Sequence, residues 1–571
     1  MNKIAIGLVV AVAAAGGGYY YASNAAQVAA EEAVHKLEMD IEAAIPQSDL
    51  TYGKISADLF AGSAQVADLA LRIGDQTIVK AALMDMAGDD ATIKLAQLTN
   101  LDVSFEKGRD SLKANIGTAS LSGVNIAWLQ GFINKLKNNP EAALNSIDSL
   151  SFDGFSLIQV SANVTNRGKD ALALENTNFQ LSGVKNGAIQ KASLSGTVRH
   201  KDGAMARNSF TSSLGEFNIS GLRFAPLTKA LIRDDERAMM AELRKAFGIN
   251  NIALKDFAFN APKDGIDIAL ASGSVDVNDS IIEQFLLKGM NFTNQDEDMA
   301  GKIEEAQFKG LDLSIDFASE EVVLQNASRL FGLTDISLKN ASLREEKDEI
   351  GIGELSLTDV AFADGLLIKG KTTIKDLRLP LAAIKEMDRS TARKIKKITN
   401  SENFVLSLVS AVEMDPQKGT YDFSQEIGVQ DFGNIKLAAA FADLNVDLIK
   451  QASRVTDIFQ AMVIWGQVAE TISVSSLDFE YNDQQLADII LAEAPDINQL
   501  ISMSHMQLDM MLAAYPAEKE SLKAAVKGFL ENKNQFQLSA SGKAPVKLKD
   551  MERLFMSGEL TNAMTFTFVG N

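Results

Sequence analysis

From Leu50 onward, apolar and polar residues alternate with a period of two over long stretches of the chain. Leu69, Leu71 and Ile73 alternate with Asp68, Ala70 and Arg72, and Leu311, Leu313, Ile315 and Phe317 alternate with Asp312, Ser314 and Asp316. Successive strand residues point to opposite faces, so this pattern predicts strands with one apolar and one wet face. One phrase recurs: an apolar residue, Ser or Lys, then Gly or Asp, then renewed alternation. It reads Leu121-Ser122-Gly123-Val124-Asn125-Ile126, Ile219-Ser220-Gly221-Leu222-Arg223-Phe224, Leu254-Lys255-Asp256-Phe257-Ala258-Phe259 and Phe308-Lys309-Gly310-Leu311-Asp312-Leu313. Variants start at Leu338, with Asn340 in third place, and at Leu357, with Asp359. A Gly, Asn or Asp in mid-strand suits a bulge, so each phrase predicts a bend in a sheet.

Helical periodicity interrupts the alternation at irregular intervals, over 127–147, 227–247, 381–398 and 448–468. In the last of these, Leu448, Ala452, Val455, Phe459 and Met462 share a face. Each segment lies between two strands, and repetition of one strand-helix-strand unit predicts an elongated body whose units pack on their neighbours. An ordinary α+β protein has the same pattern. The C-terminal part differs: 484–532 is mostly helical with a break at Tyr515-Pro516. Phe536, Leu538 and Ala540 then alternate, followed by a turn near Gly542-Lys543 and a last strand over 564–569. Met503, Met506, Met510 and Met511 crowd one helix, where core filling is the simpler reading and an adaptable apolar surface for lipids or peptides the other.

The front of the chain is of another kind. Ile4 to Ala22 is free of charge and ends in Tyr19, Tyr20 and Tyr21. As a helix it is about 28 Å long, enough to span a bilayer, with the tyrosines at interfacial depth. Lys3 places the N-terminus in the cytoplasm and the rest outside it; a cleaved signal peptide, with Ser23-Asn24-Ala25 at the cleavage site, is the competing reading. The expected organisation is an anchor at 1–24, a helical stalk at 25–48, β-rich regions at 49–260 and 261–482 with two helical insertions each, and a helical C-terminal region at 483–571 ending in strands.

Composition narrows the function. The 571 residues hold 75 acidic and 55 basic side chains, net −20, and no concentrated basic block, which argues against a nucleic-acid partner. Without Cys there are no disulfides, thiolate catalysis or cysteine metal sites. The three His (His35, His200, His505) are far apart in sequence and form no H-E-x-x-H spacing. Asn294, Asp296, Asp298 and Glu305 fit positions 1, 3, 5 and 12 of a calcium loop, but Met299 stands where the sharp turn needs Gly. Gly351-Ile352-Gly353 lacks the third glycine of a dinucleotide site, and neither a G-x-S-x-G elbow nor a Walker A sequence occurs. The expectation is a protein that is not an enzyme and has no cofactor or metal.

The anchor, the stalk and the run from Leu50-Thr51-Tyr52-Gly53-Lys54-Ile55 through Leu59-Phe60-Ala61-Gly62-Ser63 to Leu69-Ala70-Leu71 resemble the opening of AsmA-like and YdgA-like envelope proteins. The close match ends near residue 75, and the inserted helices depart from a smooth AsmA-type groove. The resemblance implies a Gram-negative inner-membrane anchor, a β-rich periplasmic body and, on the AsmA side, lipid traffic or outer-membrane maintenance. The resulting expectation is an α+β fold: a mostly antiparallel, curved β-sheet in an elongated body, with repeated strand-helix-strand insertions after one N-terminal transmembrane helix. It sits in the bacterial inner membrane by a single pass through residues 4–22, with its bulk in the periplasm. Its apolar sheet face binds phospholipid or other acyl lipids, with Leu69, Leu71, Leu311, Leu313, Ile315 and Phe317 as groove residues. The alternative is a scaffold with a closed core that holds envelope protein partners.

Overall fold

A computed structural model describes residues 34–35, 38–39, 47–58, 63–74, 76–89, 91–138, 146–200, 209–223, 247–278, 281–312, 335–363, 366–381, 396, 403–455, 458–492 and 496–571. The expected anchor at 4–22, most of the stalk, and the helices expected at 227–247 and 381–398 lie largely or wholly outside these residues. Among the described residues no helix is long and apolar enough to cross a membrane. The fold is mostly antiparallel, curved, open β-sheet. It divides into two compact units, Met1–Asp279 with Leu287–Asp296, and Ser280–Leu286 with Glu297–Asn571. The boundary expected at 260 falls inside the strand Phe247–Ala261, and the one expected at 482 inside Ser473–Asp483.

The third residue of every recurring phrase has a left-handed backbone: Gly123, Gly221 and Gly310, and also Asp256, Asn340 and Asp359. Asp68, Asn100, Gln159 and Asp376 do the same in mid-strand. At such a bend two consecutive side chains turn to the wet face, so the alternation skips one position and the apolar residues stay on one side. Ala64 and Val66 before Asp68, and Leu69 and Leu71 after it, are accordingly all buried. Neighbouring strands bend together: Gln159 lies over Gly117, Asp256 over Gly215 and Asp376 over Gly353, each position having room because the partner lacks a side chain.

These bends reveal a repeat more regular than the sequence suggests. Ile93, Ile189 and Ile282 each open a strand, and seven residues later come the left-handed Asn100, Gly196 and Gly289. The next strand bends at the left-handed Gly123, Gly221 or Gly310. Beyond the bend the chain runs on along the first strand to pair with the opening isoleucine, Val124 opposite Ile93, Leu222 opposite Ile189 and Leu311 opposite Ile282. After an insertion, a third strand carries a left-handed residue (Gln159, Asp256, Asn340) beside the position six before that glycine (Gly117, Gly215, Glu304). Even the ion pair beside the bend recurs, as Glu216–Lys255 at 3.3 Å and Glu305–Lys339 at 2.7 Å.

In the first unit the insertion after Gly123 holds the helix α1 (Ile126–Asn138), where a helix is expected over 127–147. In the second, the stretch expected as one helix over 448–468 is two, α2 (Val446–Arg454) and α3 (Ile458–Thr471). Asn445 caps α2 by accepting from the Leu448 N–H at 3.1 Å. Then follow α4 (Leu486–Ala492), α5 (Ile497–Met511) and α6 (Pro516–Asn532), the last two broken at Tyr515-Pro516 as the sequence indicates. The turn expected near Gly542-Lys543 is instead an irregularity within the strand Gln535–Lys547, whose register against its neighbour shifts between Val474 and Ser476. Two helices not anticipated, α7 (Leu548–Ser557) and α8 (Leu560–Ala563), precede the last strand, Met564–Gly570.

On the wet side of the second unit's bend, Glu354 meets Lys375 at 2.6 Å. Lys375 holds the Glu354 carboxyl below its ordinary value of 4.5, so the pair contributes stability above that value and loses it as pH falls through the folded-state pKa. Both groups are part-exposed, and Glu354→Gln is expected to cost less than about 1 kcal/mol. In urea titrations the difference from the unaltered protein is present at pH 7 and fades as pH falls below 4.5.

Candidate functional site

The apolar face is the feature from which a site is built. In the first unit Val66, Met84, Leu98, Ala119, Leu157, Phe179, Leu194, Phe217 and Leu254 stand directly opposite one another, strand after strand. Exposure rises along this row as far as Leu194. Val66 and Met84 are 0 % exposed, Leu157 and Phe179 are half-buried, and Leu194 is 37 % exposed. The closed end is one cluster into which Val34 and, from α1, Ile126 and Leu129 pack.

The second unit carries its own unbroken row of Ala306, Leu338, Leu355, Ile374, Leu408, Ile427, Ile435, Tyr481 and Phe536. Its far end is capped by α6, whose Phe529 packs edge-on against Tyr481 (5.8 Å) and Phe536 (6.1 Å). Tyr481 is further braced there, its hydroxyl donating to the Phe432 carbonyl and to Asp483; burial first, then Asp483, pushes its pKa up. Ile435, directly opposite Tyr481, and Leu437 and Leu477 on the same face are nevertheless more than a third exposed.

The expected groove residues are distributed unevenly over this face. Leu69 and Leu71 belong to the closed cluster of the first unit, at 7 % and 5 % exposure, and so do not line an open groove. Leu311 is half-buried in the short strand Leu311–Asp312. Leu313, Ile315 and Phe317 lie outside the described residues. The open positions Leu194, Ile435 and Leu437 have no distinguishing mark in the sequence, because strand alternation is the same whether a face is covered or bare. The methionines read as core filling are a clear reversal: Met503, Met506, Met510 and Met511 are exposed, because α5 already buries a separate stripe through Ile501.

The opposite face is polar. There Lys369, Glu413, Asp422, Ala440 and Ser476 stand in register, and small side chains such as Ala411 and Ala438 leave a trough of about 460 Å³. Its serines have no histidine partner. His35 bonds Glu38, His200 stacks on Phe210, and His505 bonds the Lys523 carbonyl oxygen. Of the calcium-loop residues, Glu305 lies in the strand Met299–Lys309 and pairs with Lys339. Among the described residues no three His, Asp or Glu side chains come together as metal ligands. Trp128 stacks on Phe132 at 5.2 Å and donates to Ser149, whereas Trp465 on α3 is 50 % exposed.

A family model described only as "Uncharacterized protein" matches residues 426–569, a span that takes in all the helices from α2 to α8 together with the strands between them. That model carries neither the AsmA nor the YdgA name. No curated protein matches the chain.

Proposed function

We propose that this is a membrane-anchored, non-enzymatic protein of the bacterial envelope that holds the acyl chains of lipids against the exposed part of its apolar sheet face. The observation that carries the reading is the unbroken apolar row of the second unit, left part-exposed between its bend and the α6 cap. Strands stand about 4.8 Å apart, so the seven residues from Leu338 to Tyr481 span about 29 Å. A bilayer core of about 30 Å holds two acyl chains end to end, so one chain fits along the row with room to spare. Each methylene removed from water contributes about 0.8 kcal/mol, and the face offers that without specific polar contacts. The AsmA-like opening of the sequence and the apolar stretch at 4–22 support the placement in the inner membrane, facing the periplasm.

Native mass spectrometry of the full chain, with extraction and identification of bound lipid, tests this. Phospholipid in stoichiometric amount is expected, and Leu437→Asp, at an exposed position on the face, is expected to reduce it while leaving the circular dichroism unchanged. A folded, lipid-free chain favours the scaffold reading, in which the face serves protein partners.

A further inference from the structure

The C-terminal helices expose a second apolar surface, distinct from the sheet face. On α3, Met462, Val463 and Trp465 are 66 %, 63 % and 50 % exposed; on α5, Met503, Met506 and Met510 form a stripe at i, i+3, i+7 that is 49 % to 69 % exposed; on α7, Met556 reaches 77 %. None of this is surplus core, because each helix already packs by other residues: α3 buries Ile464 and Val468, α5 buries Ile501, and α7 turns Met551 and Leu554 inward. α7 adjoins α3 and the turn that follows α5. α3 packs on α7, and Tyr515, four residues beyond Met511, donates its hydroxyl to the carbonyls of Leu554 and Phe555 at the end of α7.

We propose that these outer faces of α3, α5 and α7 form a surface that seats the second unit on a lipid bilayer, at the level of the headgroups and upper acyl chains. Charge selects this occupant. From Ile458 to Ala469 α3 carries no charged residue, and Asp509 on α5 is neutralised by Lys519 and Lys523 at 3.1 and 2.6 Å. Lys549, Glu552 and Arg553 lie seven, four and three residues before Met556, on the same side of α7, with Arg553 paired to Asp550 at 3.6 Å, so this helix meets the headgroups at its charged side. A second copy would bring another −20 charges against the first. An uncharged Met-rich face with one Trp suits the acyl boundary, where Met adapts its shape and Trp settles at the interface. On its inner side α7 reaches the sheet, where Met551 and Leu554 pack in the same cluster as Phe566 of the last strand. Only this last link, lipid passing between bilayer and sheet, rests on the function proposed above; the contact with the bilayer stands on the exposed residues.

The chain has two tryptophans, so Trp128→Phe leaves Trp465 as the sole indole reporter. The full chain carrying that substitution is reconstituted in phosphatidylcholine vesicles with and without brominated acyl chains. The expected result is a blue-shifted Trp465 emission, quenched severalfold by the brominated lipid, with quenching lost when Met462→Glu and Met510→Glu are added and the circular dichroism is unchanged. Unquenched Trp465 in protein that floats with the vesicles overturns the proposal, and so does emission that shifts only with protein concentration, the sign of a second copy. Lipid co-purification separates the two readings. Quenching with a lipid-free sheet keeps the membrane surface and removes the acyl-binding face, whereas bound lipid without quenching does the reverse.

Discussion

Met84→Ala is expected to lower the unfolding free energy of the first unit by about 3 kcal/mol, whereas Leu437→Ala lowers that of the second by less than about 1 kcal/mol. Both residues sit on the apolar face of a strand, and the sequence around each alternates in the same way. Met84 is fully buried between Val66 and Leu98 in a cluster closed over by Val34, Ile126 and Leu129, so truncation removes the whole side chain from contact and leaves a cavity. Leu437 is 38 % exposed, and truncation there removes surface that water already reaches. Urea unfolding followed by far-UV circular dichroism, fitted for two units, gives both values. Equal losses at the two sites would mean that the second unit's face is packed, and the acyl-binding reading would lose its main support.

The same comparison shows what the sequence makes legible. Alternation identifies the strands and their apolar side, because a strand paired on both edges has only its two faces to distinguish. The bends were legible wherever the bend residue was Gly, Asn or Asp within the recurring phrase, and all six of those phrases have the left-handed backbone. Gln159 carries no such signal because Gln has no preference for that conformation; the glycine opposite, Gly117, makes the space for it from a neighbouring strand. The three opening isoleucines were illegible as a repeat for a related reason. Their equivalence lies in which backbone groups pair after Gly123, Gly221 and Gly310, and pairing is a property of two segments at once. Exposure is a further step removed: whether Leu71 or Leu437 is covered depends on helices far along the chain. The methionine helix is illegible for the opposite reason, since α5 has two apolar stripes and periodicity alone does not say which one packs on α6.

Gly196→Ala is expected to cost about 3 kcal/mol or more, while Asn340→Gly changes stability by less than about 1 kcal/mol. The two positions hold left-handed residues at bends of successive copies of the repeat, but they meet different surroundings. At Gly196 φ is +136°, and an added Cβ would lie 2.5 Å from the Thr177 Cα, a backbone atom that cannot swing aside. Alanine there must distort two strands or undo the bend, and the bend keeps Leu194, just before it, on the apolar face with Phe179 and Phe217. At Asn340 φ is +46°, ordinary left-handed helical backbone, where Gly removes the steric cost of a Cβ and adds chain entropy of similar size. It also gives up the Asn340 side-chain hydrogen bond to Glu304, a neutral-to-charged bond at an exposed site. Asn340→Val, by contrast, is expected to behave like Gly196→Ala, because a β-branched side chain is the worst fit to that conformation. Chemical unfolding of the three variants orders them. A harmless Gly196→Ala would mean that the strand straightens at little cost, and the bend would then no longer account for the apolar residues staying on one face through each copy.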